Sequence, residues 1–280
     1  MIRHIVPSTD DVAIALHELG GAGPDLVICH ATGFHGLAYE PFARRLQDDF
    51  TVWAIDFRGH GASTAPMSGD FAWRGMAEDL RACVDHIGCA GIFAVGHSMG
   101  GAAILLAELA NPGTITASYL FEPIVFPADF VVASAENVMG TAARNRREVF
   151  STKREALERY SGRPPLSALD SDALAAYVEH GFVDLDDGTI RLACRAEHEA
   201  RTFECETKVT ADRIEGVRLP MTVGAGTVGG NPNPADFAPS IVAAVPGATL
   251  IAYDDMGHFG PLEDPDRIAA DVLAAFTAPR

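Results

Sequence analysis

The sequence predicts an α/β protein, with a mostly parallel sheet covered by helices on both faces and interrupted once by a helical cap. Three observations carry this. Short β-rich runs alternate with helical patterns up to about residue 126 and again after about residue 210, the signature of strands joined by helical crossovers. Between them, residues 127–210 carry helical patterns alone. A serine flanked by glycines also sits where one apolar run ends and a helical run begins. Residues 1–126 and 211–280 are therefore assigned to the core, and 127–210 to the cap.

Taken in order, Asp11 to Leu19 and Asp25 to Cys29 read as strands, followed by a helical Tyr39 to Leu46. Phe50 to Asp56 is a strand that ends in a glycine-rich turn. In Phe71 to Ile87, the residues Met76, Leu80, Val84 and Ile87 recur at intervals of three and four, which aligns them on one helix face. Gly91 to Val95 is a short strand, Ala102 to Ala110 an Ala/Leu-rich helix, and Ser118 to Phe121 a further strand. Within the cap, Glu148, Lys153, Arg154, Glu155, Glu158 and Arg159 form a polar helical face. Strands return at Leu219 to Val223 and Ala248 to Tyr253, and Asp266 to Phe276 closes the chain as a helix.

Composition narrows the function classes. At 280 residues, 48% hydrophobic and 21% charged, the chain can bury a full core and is neither disordered nor fibrous. Lys and Arg total 21 against 38 Asp and Glu, a net charge of −17 that repels phosphate backbones and anionic membranes. Neither nucleic acid nor a membrane is an expected partner. No run approaches the roughly 20 apolar residues of a membrane span, and Met1 to Asp11 has no leader-like apolar stretch, so a cytoplasmic protein is expected. Five cysteines without zinc or redox spacing fit reduced, mostly buried thiols.

The sharpest signal is Gly96-His97-Ser98-Met99-Gly100-Gly101, directly between a strand and a helix. So tight a turn strains its central residue and demands small neighbours two positions away on either side, which Gly96 and Gly100 provide. This is the pattern of a nucleophile elbow, which presents the Ser98 hydroxyl above the sheet at a helix N-terminus. A serine needs a base, and His258, in Met256-Gly257-His258-Phe259 after the last strand, returns to the same sheet edge. Acyl chemistry also needs backbone donors for an oxyanion. One is the amide of Met99; the other comes from Cys29-His30-Ala31-Thr32-Gly33-Phe34-His35-Gly36, by position Thr32, with Gly33 as the alternative. His30, Phe34, His97 and Phe259 are expected to contact substrate.

The elbow at Ser98, His30 opening the loop after an early strand, Asp56-Phe57-Arg58-Gly59-His60-Gly61-Ala62-Ser63 after the next, and Gly257-His258 occur in an order that resembles the α/β-hydrolase superfamily. The resemblance implies an eight-stranded sheet, a Ser-His-acid triad, no cofactor, and a structural role for Asp56 and Arg58 in tying loops together. The acid departs from the common pattern. Many relatives carry an aspartate after the strand that follows the cap, whereas here Val223-Gly224-Ala225-Gly226-Thr227-Val228-Gly229-Gly230-Asn231 holds no carboxylate. Two candidates stand in its place. Glu122 ends the strand after the nucleophile helix, where some haloalkane dehalogenases and the fungal zearalenone lactonases place a glutamate; Asp236 is the first carboxylate downstream of the vacant segment.

Within this superfamily, dehalogenases and epoxide hydrolases need an aspartate at the elbow, so Ser98 implies acyl transfer to water. Hydrolysis of a carboxylic ester or lactone leads. Hydrolytic carbon-carbon cleavage of a ring-fission diketone is the runner-up, followed by perhydrolase activity and a non-catalytic ligand-binding homologue. In the cap, Phe130, Val131, Val132, Val138 and Met139 are read as apolar packing onto the core or a pocket wall. Glu197, His198, Glu199, Arg201, Glu204 and Glu206 are read as a solvated charged face, and no metal is expected. The expected partner is a small-molecule substrate, with a homodimer kept open.

Overall fold

The computed structural model describes residues 1–128, 137–205, 208–229 and 233–277. Eleven strands are described: β1 (Ile2–Pro7), β2 (Ala13–Gly21), β3 (Asp25–Cys29), β4 (Thr51–Asp56), β5 (Ile92–His97), β6 (Ile115–Phe121), β7 (Val149–Phe150), β8 (Phe182–Asp184), β9 (Ile190–Leu192), β10 (Met221–Gly226) and β11 (Thr249–Tyr253). Ten helices accompany them: α1 (Glu40–Arg44), α2 (Trp73–Ile87), α3 (Met99–Ala110), α4 (Val138–Arg144), α5 (Lys153–Ser161), α6 (Ser171–His180), α7 (Ala196–Glu204), α8 (Ala238–Ala244), α9 (Gly260–Glu263) and α10 (Pro265–Thr277).

The main sheet has eight strands in the order β1-β2-β4-β3-β5-β6-β10-β11. From β4 to β11 every pairing is parallel, while β1 and β2 are antiparallel additions at one edge. Strand β3 shows why the sheet forms where it does. Leu26, Val27, Ile28 and Cys29 are all fully buried, the continuous apolar run of a strand covered on both faces. Alternate side chains part company: Val27 and Cys29 join Met76, Leu80 and Ile104 on one face, Leu26 and Ile28 join Phe42, Val52 and Val272 on the other. Helix α2 uses its predicted stripe, with Met76, Leu80 and Val84 buried, and stops at Gly88, whose φ of +79° releases the chain.

The insertion between β6 and β10 is not helical throughout. Besides α4 to α7 it holds a small antiparallel sheet, β7-β9-β8, whose strands of two or three residues are too short to carry a period-two pattern. Its hairpin, closed by the Leu185 amide to the Thr189 carbonyl at 2.8 Å, turns on Asp187-Gly188, a dipeptide that does signal such a turn. The ends of the insertion are pinned together: Phe126 N–H donates to Val209 O, and Ala211 N–H to Phe126 O, each at 2.8 Å. Helix α8 and strand β1 were not anticipated. The first is short and Pro-containing; the second is an exposed edge strand with little apolar alternation. Among the described residues, no helix is long and apolar enough to cross a membrane.

Candidate active site

Strand β5 delivers Ser98 with φ +55° and ψ −118°, in the sparsely populated region a nucleophile elbow requires. The flanking glycines are sterically enforced. A Cβ on Gly96 would lie 2.7 Å from Gly101 Cα, and one on Gly100 would lie 2.2 Å from the Cys29 carbonyl oxygen. Ser98 itself is 7% exposed and begins α3. Its amide donates to Phe121 O at 3.0 Å, and its carbonyl accepts from Ile124 N–H at 3.2 Å, so the elbow is stitched to both sides of Glu122.

Glu122 is fully buried with φ +42°, a second strained non-glycine residue beside the first. Its Oε1 accepts from Gly226 N–H at 2.7 Å, and its Oε2 lies 2.6 Å from His258 Nδ1. A carboxylate only accepts, so Nδ1 carries the proton, and the tautomer this selects has its lone pair on Nε2. Both oxygens of this buried charge are thereby satisfied. The loop around His258 is set by Glu263, whose carboxylate accepts from Gly257 N–H (2.9 Å) and Phe259 N–H (3.0 Å). No hydrogen bond joins Ser98 to the imidazole among the described residues.

Of the two carboxylates left open by the sequence, the structure brings Glu122 and not Asp236 to His258. Asp236 is exposed and caps a short turn, accepting from Asn233 N–H at 3.3 Å. At the end of β10, a Cβ on Gly226 would lie 2.5 Å from the carbonyl oxygens of Met256 and Gly257, so this one position excludes a side chain. The backbone of the His258 loop fills the space where a side chain would project.

The amides of Met99, at the start of α3, and of Thr32 and Gly33, in the loop after β3, have no hydrogen-bond partner among the described residues, and Gly33 adopts φ +80° within the turn closed by Phe34 N–H to Ala31 O. Two residues expected to contact substrate do otherwise. His30 is fully buried, with Nδ1 2.7 Å from Ala31 O and Nε2 accepting from Phe57 N–H at 3.0 Å, so it ties two loops and has no nitrogen to spare. His97 is also buried, with Nδ1 2.7 Å from Tyr39 Oη and Nε2 2.7 Å from the His258 carbonyl oxygen. Phe34 and Phe259 do form a wall beside His258, their centroids 5.3 Å apart, with Phe259 5.3 Å from the His258 ring.

Asp56 and Arg58 tie loops, as the resemblance implied. Asp56 accepts from Gly36 N–H (2.7 Å) and Ala62 N–H (2.8 Å), and the Arg58 guanidinium forks onto Asp79 with two bonds of 2.8 Å. The sequence reading missed Tyr39, Arg146 and Tyr177. Arg146 from the insertion donates to Glu199 (2.5 Å) and to Tyr177 Oη (2.8 Å), directly over the loop, since a Cβ on Gly33 would meet Glu199. Tyr39 opened a segment read only as helical and Glu199 one read as a solvated face, and nothing local links positions so far apart. Glu197 forms surface pairs with Arg144 and Arg201, while His198 stacks on Phe71. Val138 and Met139 are exposed (77% and 56%), so they are not packing onto the core; Phe130, Val131, Val132 and Glu206 lie outside the described residues.

Burial of so many histidines has a consequence for stability. Desolvation lowers His30 from its ordinary 6.5 to about 3, and His35 and His60 to about 4. The unfolded chain therefore binds more protons below pH 6.5. Stability is fully present above that value and falls as the pH drops toward the folded values, by up to roughly 1.4 kcal/mol per unit per histidine. Urea midpoints are expected to fall steeply between pH 6 and 4. A flat midpoint across that window would contradict the neutral, buried assignment.

Comparison with known proteins agrees with the fold. A model described as the alpha/beta hydrolase family matches residues 26–271. A soluble epoxide hydrolase of Corynebacterium sp. (strain C12) is 26% identical over 273 residues, 92% of either chain. Among solved structures, E-2-(acetamidomethylene)succinate hydrolase superposes with a TM-score of 0.81 at 21% identity over 99% of both chains. An esterase from Rhodococcus sp. ECU1013 gives 0.75 at 22% identity over 100% of both. With the family model spanning nearly the whole core and the elbow, sheet order and insertion in place, the chain belongs to the alpha/beta hydrolase family.

Proposed function

We propose that the protein is a serine hydrolase that cleaves a carboxylic ester, open-chain or lactone, through an acyl-enzyme. The observation that carries this reading is the His258–Glu122 bond, which holds the proton on Nδ1 and so leaves Nε2 to act as the base. In this reading Nε2 takes the Ser98 proton as Oγ attacks the acyl carbon. The oxyanion is met by the amides of Met99 and Thr32, or Gly33 in place of the latter, at the positive end of α3. Collapse expels the alcohol with the proton from His258. Water, deprotonated by the same nitrogen, then releases the carboxylic acid and restores Ser98.

Serine also separates this chemistry from that of the epoxide hydrolase relative. A serine that opened an epoxide would leave an ether, which water does not cleave, whereas an ester on Ser98 turns over. Phe34 and Phe259 give the acyl group an apolar wall, so acyl chain length should matter. A series of p-nitrophenyl esters of increasing acyl length, with Ser98→Ala as the blank, is expected to show Ser98-dependent release with an optimum length. Release equal to the blank throughout the series would overturn the ester reading and direct assays to ring-fission diketones.

A further inference from the structure

We propose that His97 is a positioning residue that clamps the backbone of His258 and couples it to the loop after β3, an inference that rests on the reading of Ser98, His258 and Glu122 above. The directions of its hydrogen bonds follow from the partners. A carbonyl oxygen can only accept, so Nε2 of His97 carries the proton and donates to His258 O at 2.7 Å. A neutral imidazole then presents Nδ1 as an acceptor, and Tyr39 Oη donates to it at 2.7 Å. The tyrosine oxygen in turn accepts from Ala31 N–H at 3.2 Å. The resulting chain runs from the loop that carries Thr32, through Tyr39 and the elbow residue next to Ser98, to the base loop.

The surroundings hold this chain in one arrangement. His97 and Tyr39 are 1% exposed each, and burial keeps the His97 ring well below its ordinary pKa and therefore neutral. Its ring is boxed by Phe121, Phe259, Tyr39 and His258, with centroids 5.0 to 6.1 Å away. His258 is thus gripped at two points, its carbonyl by His97 and its Nδ1 by Glu122, which fixes the torsions between them. Without the first grip the ring keeps its acid but loses its place relative to Ser98 Oγ. A misplacement of about 1 Å costs on the order of 10²-fold in rate without weakening substrate binding.

The test uses three variants in the full chain. His97→Leu removes both hydrogen bonds, His97→Gln retains an amide N–H able to reach the His258 carbonyl, and Tyr39→Phe removes only the donor to Nδ1. For hydrolysis of the best p-nitrophenyl ester, kcat is expected to fall about 10²-fold in His97→Leu with KM within about twofold, to recover about tenfold in His97→Gln, and to lie between these in Tyr39→Phe. A readout independent of turnover is the low-field proton NMR resonance of His258 Nδ1–H in its bond to Glu122. It should be present in the wild type, absent in Glu122→Gln, and broadened by faster exchange in His97→Leu. Wild-type kcat and an unbroadened resonance in His97→Leu would overturn the clamp. Equal losses in the Leu and Gln variants accompanied by a rising KM would overturn it too, in favour of a substrate contact. Absence of Ser98-dependent turnover in the wild type would instead sink the hydrolase reading, while the resonance comparison would still decide on the clamp. Should His97→Leu fail to fold, His97→Gln and Tyr39→Phe carry the same comparison.

Discussion

Replacing Ser98 with alanine is expected to lower kcat for ester hydrolysis by about 10³- to 10⁶-fold, leaving only what an oxyanion site and binding can do alone. The fold should survive. Ser98 Oγ makes no hydrogen bond among the described residues, and alanine tolerates the φ of +55° no worse than serine, so the thermal midpoint should hold within a few degrees. Circular dichroism melts and steady-state kinetics on one preparation check both halves. A variant that melts normally yet retains wild-type turnover would remove Ser98 from the mechanism.

The second large effect concerns the acid. Glu122→Gln is expected to cost about 10³- to 10⁴-fold in kcat, because the glutamine amide can present N–H to Nδ1 and stabilise the tautomer whose Nε2 already holds a proton. That ring cannot accept from Ser98. Asp236→Asn should leave kcat within about twofold, since Asp236 is exposed and only caps a turn. The opposite pattern would move the acid to Asp236. The comparison is informative because the Gly226 amide still finds an acceptor in the glutamine carbonyl, so loss of activity would not simply report a collapsed β10 terminus.

Most of the core was legible because its signals are local. The Ser98 elbow is written in contiguous residues, and α2 announces its buried stripe at every turn. Glu122 was legible partly through an absence, the carboxylate-free segment at and beyond the end of β10. What could not be read depends on distance or on direction. Tyr39 reaches His97 across 58 positions, and Arg146 reaches Glu199 across 53, with no periodicity to link them. His30 and His97 were expected to contact substrate, but a sequence does not show which way a ring nitrogen points. Both proved to be committed to backbone or tyrosine partners. Strands β7 to β9 of the insertion are held by tertiary pairing over two or three residues, too short for alternation to register.

The central claim is a covalent acyl-enzyme on Ser98, and trapping that species tests it most directly. Wild-type protein would be mixed with a slowly deacylating p-nitrophenyl ester, quenched in acid within the first turnover, and peptide-mapped by mass spectrometry. The account predicts an added acyl mass on the peptide containing Ser98, in near-stoichiometric amount, absent from Ser98→Ala and scarce in Glu122→Gln. Rapid turnover with the acyl group on another residue, or with no adduct at any quench time while Ser98→Ala hydrolyses equally well, would contradict it.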